Sequence, residues 1–572
     1  MSEAPARRHT GPTVAMVPEL FSAILRIALA PLRVAWRGSW LYRQFLHGRM
    51  ADRVRHQPFD GLPRRLEDAD SILRHRFRFS GEAVESESNS IFECKAPSAA
   101  WAAALHGFEW LPALSGAGGD GARDFAAQLI TEWLVRNPHY AEPAWLPEVM
   151  ARRLVQIFAH GRFVIANSDM LWRSKLFVSL REQSAVLSRI ADEAQEGLPR
   201  LEAAVACLLC CSCLDHEPRR MGAALERLER EVALQVLPDG GHVSRSPEDL
   251  LCAYRQIVMA LDALTAMEAP APPWLRGAHD RMAPMLRFFR HGDGALALFN
   301  GGAESDARMI AALLARDEVR GQPFLHAPHS GYQRLAASRS LAIMDCGGPP
   351  PGTYSTRAHA ASLAFEFSSG VHRIVVNCGT EKDASARWNG ALRSTAAHST
   401  VTLADTSMQP ILAPGFVQNL LGPRLIASST LPETNRRETA HGWRVEASHR
   451  YYIPDFGVMH GRELTLSPRG TKLTGCDYLL PEPSRNGEGV PFAARFHIHP
   501  DTRMSTSLSG DILLKLPNGE GWRFRHGGSA VIEESVYAGH GGSRRSEQIV
   551  LGGEVKDKPV EIAWMFEQIG AE

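Results

Sequence analysis

Apolar residues recur with helical spacing through the first half of the chain. Phe125, Leu129 and Trp133 fall on every fourth position, as expected for one buried face of a helix. Short segments with Pro or Gly separate the successive helical patterns, which favours antiparallel helix pairs. No fixed-period repeat is visible, so a solenoid is not supported. Further helices are predicted over residues 176–191, 201–214, 221–236, 247–267 and 273–290.

Beyond residue 331 the pattern changes to short apolar segments separated by Gly, Pro and Asn. Many short segments of this kind predict an antiparallel β-sandwich. The chain therefore divides into an appendage of residues 1–60, a helical domain of residues 61–330 and a β-domain of residues 331–572. Strands are predicted over 339–345, 362–366, 373–377, 443–447, 463–466, 495–498, 512–516, 522–525 and 562–565.

One predicted hairpin carries the clearest candidate chemistry. In R-A-H-A-A-S-L-A-F-E-F, apolar side chains alternate through Leu363 and Phe365, and an S-S-G turn follows. The return strand ends in V-V-N-C-G-T, so His359 and Asn377 are expected at the outer ends of the hairpin. A second histidine, His398, follows in A-A-H-S-T-V-T-L.

These segments resemble the heparinase II/III-like family of polysaccharide lyases, whose pattern is roughly H-x-H-A-D-x-L-S-F-E, L-V-D-x-G-T and A-H-N-T-V. The D-G-G-H segment at 239–242, followed by R-S-P at 245–247, resembles the family's D-G-G-x-x-x-R-S-P loop. Trp145 with Arg152 and Arg153 resembles its W-x-P-x-x-x-A-R-R helix. The resemblance covers residues 145–403 and implies an α+β multidomain fold, an incomplete (α/α) toroid followed by an antiparallel β-sandwich.

The resemblance also implies β-elimination on an acidic (uronic-acid) polysaccharide or oligosaccharide. That reaction needs a neutralised carboxylate together with a positioned base and acid. By its match to the family, His242 is expected near the substrate carboxylate, with Arg245 as a fork of donors. His359 is expected to transfer or orient a proton, with Asn377 and His398 in support. The alternative for His242 is a polar loop residue that caps a helix, and the alternative for His359 and His398 is a hydrogen-bonded structural role.

Two catalytic positions of the family pattern are altered. The first histidine is Arg357, which cannot act as a base at neutral pH but can neutralise a carboxylate. No tyrosine occurs between Tyr254 and Tyr332, where the family's catalytic tyrosine is expected, so Tyr254 and Tyr354 are the replacement candidates. An ordinary packed tyrosine is the alternative for both. Trp110 is the candidate platform for stacking on a sugar ring.

The resemblance also suggests a metal site. In metal-bearing members, residues equivalent to His359, Asn377 and His398 hold a structural zinc. Here a neutral amide replaces the expected anionic oxygen ligand, so we expect little or no zinc and no other cofactor. His497 and His499 in F-H-I-H-P share one strand face and are expected either to form half of a metal site or to be solvent-facing or hydrogen-bonded.

The net charge of the chain restricts the classes of partner that it can bind. Lys plus Arg and Asp plus Glu both number 63, so the formal net charge is zero and no global field recruits nucleic acid. An anionic saccharide would therefore need a locally basic cleft, and Arg245, Arg357 and His242 are expected to converge there.

The segment 17–45 is apolar but contains Arg26, Arg33, Arg37 and Arg43. It fits an amphipathic helix lying on a membrane, or a helix that packs on the domain or pairs with another subunit. No uncharged spanning segment and no clean signal peptide are visible. Nine cysteines favour a reducing compartment. A cytoplasmic location is expected, with peripheral contact to the inner membrane left open.

The clustered cysteines 207, 210, 211 and 213 lie in an apolar helical stretch, so packed thiols are favoured over a metal site. Two functions compete: a polysaccharide lyase, or a non-catalytic glycan-binding or envelope-assembly protein that kept the cleft. A hydrolase with paired carboxylates is not supported, because the family aspartates are Ala361 and Asn377 here.

Overall fold

The fold is taken from a computed structural model that describes Thr13 and residues 16–46, 51–59, 66–86, 90–214, 218–316, 321–381, 385–426, 430–483, 488–539 and 542–570. The first half is helical. Its helices are α1 (Val17–Gly38), α2 (Trp40–Gln44), α3 (Leu66–Leu73), α4 (Ala99–His106), α5 (Leu111–Ala117), α6 (Gly119–Arg136), α7 (Pro147–His160), α8 (Arg162–Ile165), α9 (Met170–Ile190), α10 (Leu198–Cys213), α11 (Pro218–Gln235), α12 (Pro247–Ala266), α13 (Pro273–Phe288) and α14 (Ala307–Leu314).

Helix α10 is the centre of the helical layer and packs against α7, α11 and α12. Nearly all its side chains are buried, which explains why its sequence is apolar on every face. The four clustered cysteines lie along this single helix, buried and without disulfides. A straight helix cannot bring four thiolates around one ion, so the packed-thiol interpretation is confirmed.

Helix α9 begins six residues before its predicted start. Asp169 caps it by accepting a hydrogen bond from the backbone N–H of Trp172. The first turn carries exposed apolar residues such as Met170 and Leu171, so hydrophobic spacing alone gave no signal there. The capping hydrogen bond of Asp169 therefore sets the N-terminal boundary of α9.

The second half forms two antiparallel sheets. One sheet has eight strands and the other has nine. Facing aromatic side chains such as Phe365, Phe496 and Trp564 fill the space between them. The predicted class, a helical toroid followed by a β-sandwich, is confirmed.

The first two strands form a separate small hairpin, β1 (Arg76–Phe79) and β2 (Glu82–Glu85). The sandwich strands are β3 (His326–Ala327), β4 (Tyr332–Ala337), β5 (Ser340–Asp345), β6 (Phe365–Ser369), β7 (His372–Val376), β8 (Val401–Leu403), β9 (Glu433–Thr439), β10 (Gly442–His449), β11 (Val458–Leu466), β12 (Lys472–Pro481), β13 (Val490–Ile498), β14 (Arg503–Thr506), β15 (Ile512–Lys515), β16 (Gly521–His526), β17 (Ala530–Gly539), β18 (Gly542–Val555) and β19 (Val560–Gln568), with short helices α15 (Ala386–Leu392), α16 (Phe416–Leu421) and α17 (Ile453–Phe456) between them. The eight-stranded sheet has the order β14-β15-β16-β19-β12-β11-β10-β9, and the nine-stranded sheet has the order β17-β18-β13-β7-β6-β5-β4-β3 with β8 paired to β13.

The hairpin β6–β7 forms, but one of its predicted ends is wrong. Asn377 follows β7 directly, as expected. His359 lies six residues before β6 in an irregular segment, because Leu363 has a φ of 62° and the strand begins only at Phe365. The histidine is therefore held by tertiary contacts and not by the strand.

Helix α1 packs on the rest of the chain through one face only. Met16 and Ala23 contact Leu412 and Leu421, and Glu19 pairs with Arg424. No helix in the described ranges is long and apolar enough to cross a membrane.

Candidate functional site

His359 and His398 are in direct contact below the surface. The Nδ1 atom of His398 donates to the carbonyl of Ser394 at 2.8 Å, so its Nε2 atom accepts from Nδ1 of His359, also at 2.8 Å. The Nε2 atom of His359 is then unprotonated and is buried without a partner among the described residues. Burial lowers the pKa of His359 well below its usual range and that of His398 to about 4. Both rings are neutral at pH 7.

Asn377 is fully buried and its amide is occupied. The Oδ1 atom accepts from the backbone N–H of Ser399 at 3.1 Å, and Nδ2 donates to the carbonyl of Leu298 at 3.2 Å. A longer contact of Nδ2 reaches Glu366 at 3.4 Å. Asn377 thus fixes the loop that precedes β8 and does not present a free ligand atom to the histidine pair.

His242 is also fully engaged. Its Nδ1 atom accepts from the hydroxyl of Ser244 at 2.7 Å, and its Nε2 atom donates to Oε1 of Gln235 at 3.2 Å. The side chain is buried, and burial lowers its pKa. Its ring lies 6.1 Å from the ring of Tyr354. To accept a proton from a substrate, His242 would first have to break one of these two hydrogen bonds.

Arg245 joins the two domains. Its guanidinium, buried and stacked over Tyr332 at 4.9 Å, pairs with Asp345 at the end of β5. The same side chain donates to the carbonyl of Ser330 at 2.8 Å and to that of Gly348. The prediction that Arg245 binds a substrate carboxylate is therefore wrong, because a carboxylate of the protein already occupies it.

The side chain of Arg357 lies against the first turn of α12 and is half exposed. It donates to Asp249 at 3.2 Å, to Glu248 at 3.3 Å and to the carbonyl of Gly301 at 2.8 Å. Two carboxylates thus compete with any anionic substrate for this guanidinium. The loop through Gly301 could not accept a larger residue, since an added Cβ would lie 2.5 Å from the backbone oxygen of Arg357.

The remaining predicted residues differ in accessibility. Trp110 is fully buried and donates to the carbonyl of Leu105, so the stacking-platform prediction is wrong. Tyr254 is fully buried on α12 and contacts Nε2 of His279 at 3.0 Å. Tyr354 is half-buried, and burial raises its pKa to about 12. It is the more accessible of the two candidate tyrosines.

His497 and His499 have separate partners. His497 is buried and bonds the hydroxyl of Ser535 at 2.7 Å and the carbonyl of Ala396 at 3.1 Å. His499 accepts at Nδ1 from the backbone N–H of Asp501 at 3.3 Å. The hydrogen-bonded interpretation is confirmed for this pair.

A cavity of about 970 Å³ opens where the helical domain faces the sandwich. We call it the interdomain cleft. The lining includes Gln156 of α7, Gln256 of α12 and Glu381 of the sandwich, but not His242, Arg245 or Arg357. Among the described residues, the charged side chains of its wall are six acids, Asp68, Glu109, Glu202, Glu248, Asp306 and Glu381, and three arginines, Arg78, Arg152 and Arg255.

The prediction that the cleft is locally basic is therefore wrong. Arg152 pairs with Glu109 at 2.5 Å and with Glu202 at 3.6 Å, so part of the positive charge is neutralised within the wall. Sequence reasoning missed Gln156 and Gln256 altogether. In the sequence, the only sign of either residue is a polar side chain on a helical face whose other residues are apolar or charged.

Comparison with known proteins gives the family. The profile described as "Heparinase II/III-like, C-terminal" matches residues 319–565. FtsZ-localized protein C of Caulobacter vibrioides is 32% identical over 558 residues, which cover 95% of each chain. The chain belongs to the heparinase II/III-like family.

Solved structures show the same fold at low sequence identity. A heparinase III structure superposes with a TM-score of 0.70 at 12% identity, covering 100% of this chain and 93% of that one. The heparan sulfate lyase HepC of Pedobacter heparinus gives a TM-score of 0.59 at 16% identity, covering 97% and 91%. The chain therefore has the fold of the heparinase II/III-like lyases.

The family's zinc does not fit the residues present here. The described part of the chain holds no group of three His, Cys, Asp or Glu side chains that could bind a metal. His359 and His398 bond each other, and both ends of the Asn377 amide are used. Two neutral imidazoles without an anionic ligand make a weak zinc site.

We expect the purified protein to contain much less than one zinc per chain. Elemental analysis of protein prepared without added metal measures this content, with His359→Ala as the matched variant. One zinc per chain in the wild type, lost in His359→Ala, would contradict the prediction and would show that the histidine pair opens to bind metal.

Proposed function

We propose that this protein is a non-catalytic member of the heparinase II/III-like family that acts in envelope assembly. The observation that carries the proposal is the environment of Arg357, which stands where the family pattern has its first histidine. Its guanidinium is bound between Glu248 and Asp249 and cannot serve as a base. A carbohydrate ligand remains part of the proposal, because the cleft is kept.

The other groups needed for elimination support the same conclusion. A β-elimination on a uronate needs a positive group for the carboxylate and a base near the acidic proton. Arg245 is occupied by Asp345, and both ring nitrogens of His242 are in use. His359 keeps one unprotonated nitrogen, but its low pKa makes it a weak base.

We expect no lyase activity on uronic-acid polysaccharides. The measurement is the near-ultraviolet absorbance of unsaturated uronate during incubation with a broad panel of uronate polymers, with a known heparinase as the positive control. The trace should match the buffer blank across the pH range. Product formation that disappears in both His359→Ala and Tyr354→Phe would overturn the proposal and establish β-elimination as the function.

We also propose that α1 and α2 hold the protein on the inner membrane from the cytoplasmic side. Phe21 and Leu32 are both 69% exposed and lie on the same stripe of α1 as Val17, Leu25 and Trp36. Such a large exposed apolar surface is unusual on a monomer. The exposed large apolar residues of this region are Val17, Phe21, Ile24, Leu25, Ile27, Leu29, Leu32, Trp36, Trp40, Leu41 and Phe45.

Charge favours a lipid surface over a second copy of the chain. The segment 17–45 carries four arginines and one glutamate. Arg33 and Arg37 pair with Glu193 and Arg43 contacts His139, so Arg26 is the arginine placed to meet anionic headgroups. Arg26 is exposed at one edge of the apolar stripe. The opposite face of α1 packs on the protein through Ala23, so the stripe faces outward.

The similar protein of Caulobacter vibrioides is named for its localization with FtsZ. We propose that this chain also works at the site of FtsZ assembly. A fluorescent fusion that fails to co-localize with FtsZ in dividing cells would contradict this part of the proposal.

A further inference from the structure

One segment of the sandwich, residues 406–423, contains no ionisable side chain, although 22% of the whole chain is charged. It connects β8 to β9 and carries the short helix α16. Backbone hydrogen bonds close its base, since the N–H of Leu412 donates to the carbonyl of Arg424 at 2.8 Å and that of Ile426 donates to the carbonyl of Pro410 at 2.9 Å. We call residues 410–426 the α16 excursion.

The turn that leads into α16 is apolar and exposed. Residues 413–416, with the sequence A-P-G-F, are all exposed to solvent. Phe416, the first residue of the helix, has 66% of its surface accessible. A phenylalanine at this exposure stabilises the fold little, but it contributes strongly to binding if an apolar surface covers it.

The α16 excursion packs directly against α1, the helix proposed above to lie on the membrane. Ala23 of α1 and Leu421 of α16 belong to one buried cluster, and Val417 packs against that cluster. At about 100° per residue around a helix, Phe416 lies to the side of Val417, next to the contact between the two helices. The exposed ring is therefore a neighbour of the apolar stripe on α1.

The composition and position of the excursion favour lipid as the occupant. A segment without ionisable residues offers no ion pair to a protein partner, whereas the interfacial region of a bilayer accepts exposed aromatic and aliphatic side chains. Added to the stripe on α1, Phe416 enlarges an exposed apolar surface that is already unusual on a monomer. One flat partner that covers both elements explains this surface with a single contact.

We infer that the α16 excursion is a second membrane-contacting element, which enters the lipid interface through Phe416 beside α1. The inference rests on the proposed membrane contact of α1 and goes beyond it, because it adds a residue of the sandwich to the same surface. The last turn of α1 is fastened to the helical domain by the ion pair of Arg37 with Glu193, and α16 emerges from the sandwich. Both domains are thereby held against the bilayer in one orientation.

Co-sedimentation of the full chain with phosphatidylcholine–phosphatidylglycerol vesicles tests the inference. Phe416→Ser should weaken binding at least about tenfold, because the ring no longer leaves water. The factor should be equal at low and high salt, since no charge is removed, and the thermal midpoint should not change. Phe416→Leu should keep most of the affinity. The matched control is Leu508→Ser, exposed in the turn between β14 and β15, which should bind like the wild type.

A combined variant separates direct contact with lipid from support of α1. If Phe416 and Leu32 both enter the interface, the loss in Leu32→Ser/Phe416→Ser should be the product of the two single losses. Vesicles should also slow amide hydrogen exchange of the wild type over residues 412–423, because these amides become covered.

The outcomes distinguish this inference from the proposed role of α1. Unchanged vesicle affinity in Phe416→Ser, with binding lost in Phe21→Ser/Leu32→Ser, would refute the inference and leave the role of α1 intact. No vesicle binding by the wild type would refute both. A Phe416→Ser effect that vanishes in the Leu32→Ser background would show that Phe416 only positions α1. A changed oligomeric state with unchanged vesicle affinity would assign the excursion to an interface between copies of the chain, and either of these results overturns the inference.

Discussion

Replacing Arg245 with alanine is expected to lower the free energy of unfolding by about 3–5 kcal/mol. The change leaves the buried Asp345 carboxylate without its guanidinium, and it removes the donors to Ser330 and Gly348 that join the helical domain to the sandwich. Chemical denaturation followed by circular dichroism measures the loss. The sequence suggested that Arg245 binds a ligand, whereas the structure indicates that Arg245 stabilises the fold.

The loss should depend on pH with a definite sign. Burial raises the pKa of Asp345 even with Arg245 present, and removal of the guanidinium raises this pKa further. A carboxyl whose pKa is raised on folding favours the folded state at low pH, and this contribution is lost as the pH rises through the folded-state pKa. The deficit of Arg245→Ala should therefore be larger at about pH 8 than at about pH 5.

Two further variants sharpen this test. Arg245→Ala/Asp345→Asn should recover part of the stability, because an amide in the same place carries no charge to desolvate. Arg437→Ala, which breaks the exposed pair with Glu446, should cost less than about 1 kcal/mol. An Arg245→Ala deficit as small as that of Arg437→Ala would contradict the structural role assigned to Arg245.

The double variant Phe21→Ser/Leu32→Ser is expected to weaken binding to anionic lipid vesicles by about a hundredfold. Each exposed side chain would contribute about 1.5–3 kcal/mol when buried in the interface, so losing both removes at least about 3 kcal/mol. Because both residues are exposed on α1, the fold should be unaffected. Co-sedimentation with vesicles at rising salt measures the affinity and its electrostatic part.

The control replaces two exposed apolar residues elsewhere. Val135→Ser/Met170→Ser changes side chains that are 74% and 86% exposed on the helical domain, and its vesicle binding should equal that of the wild type. If Phe21→Ser/Leu32→Ser instead turns a dimer into a monomer and leaves vesicle binding unchanged, the stripe on α1 is an interface between copies of the chain.

The function of this protein depends on how many of the residues needed for β-elimination are retained in the fold that it shares with the lyases. The likeness in fold extends over the whole chain, yet Arg357 and Asn377 replace the histidine and aspartate of the family pattern. The structure adds that these replacements are locked in place, Arg357 by Glu248 and Asp249, and Asn377 by Ser399 and Leu298. Reversal of one position alone should not restore a lyase site.

The sequence by itself determined the architecture. Helical spacing through Phe125, Leu129 and Trp133, and short strands after residue 331, specify a helical layer followed by a sandwich, because these periods reflect which face of each element is buried. The ordered motifs between Trp145 and His398 located the family. These features are local, and each can be recognised within a window of a few turns or strands.

Only the tertiary structure decided what the polar residues do. Arg245 was predicted to bind substrate, but its partner Asp345 lies 100 residues away, and no local pattern announces that pair. Trp110 was predicted to stack on a sugar ring, but it is buried in the core. The acidic residues of the cleft wall come from six separate helices and loops. Burial and ion pairing depend on which distant segments meet, so the charge of the cleft emerges only when the chain is folded.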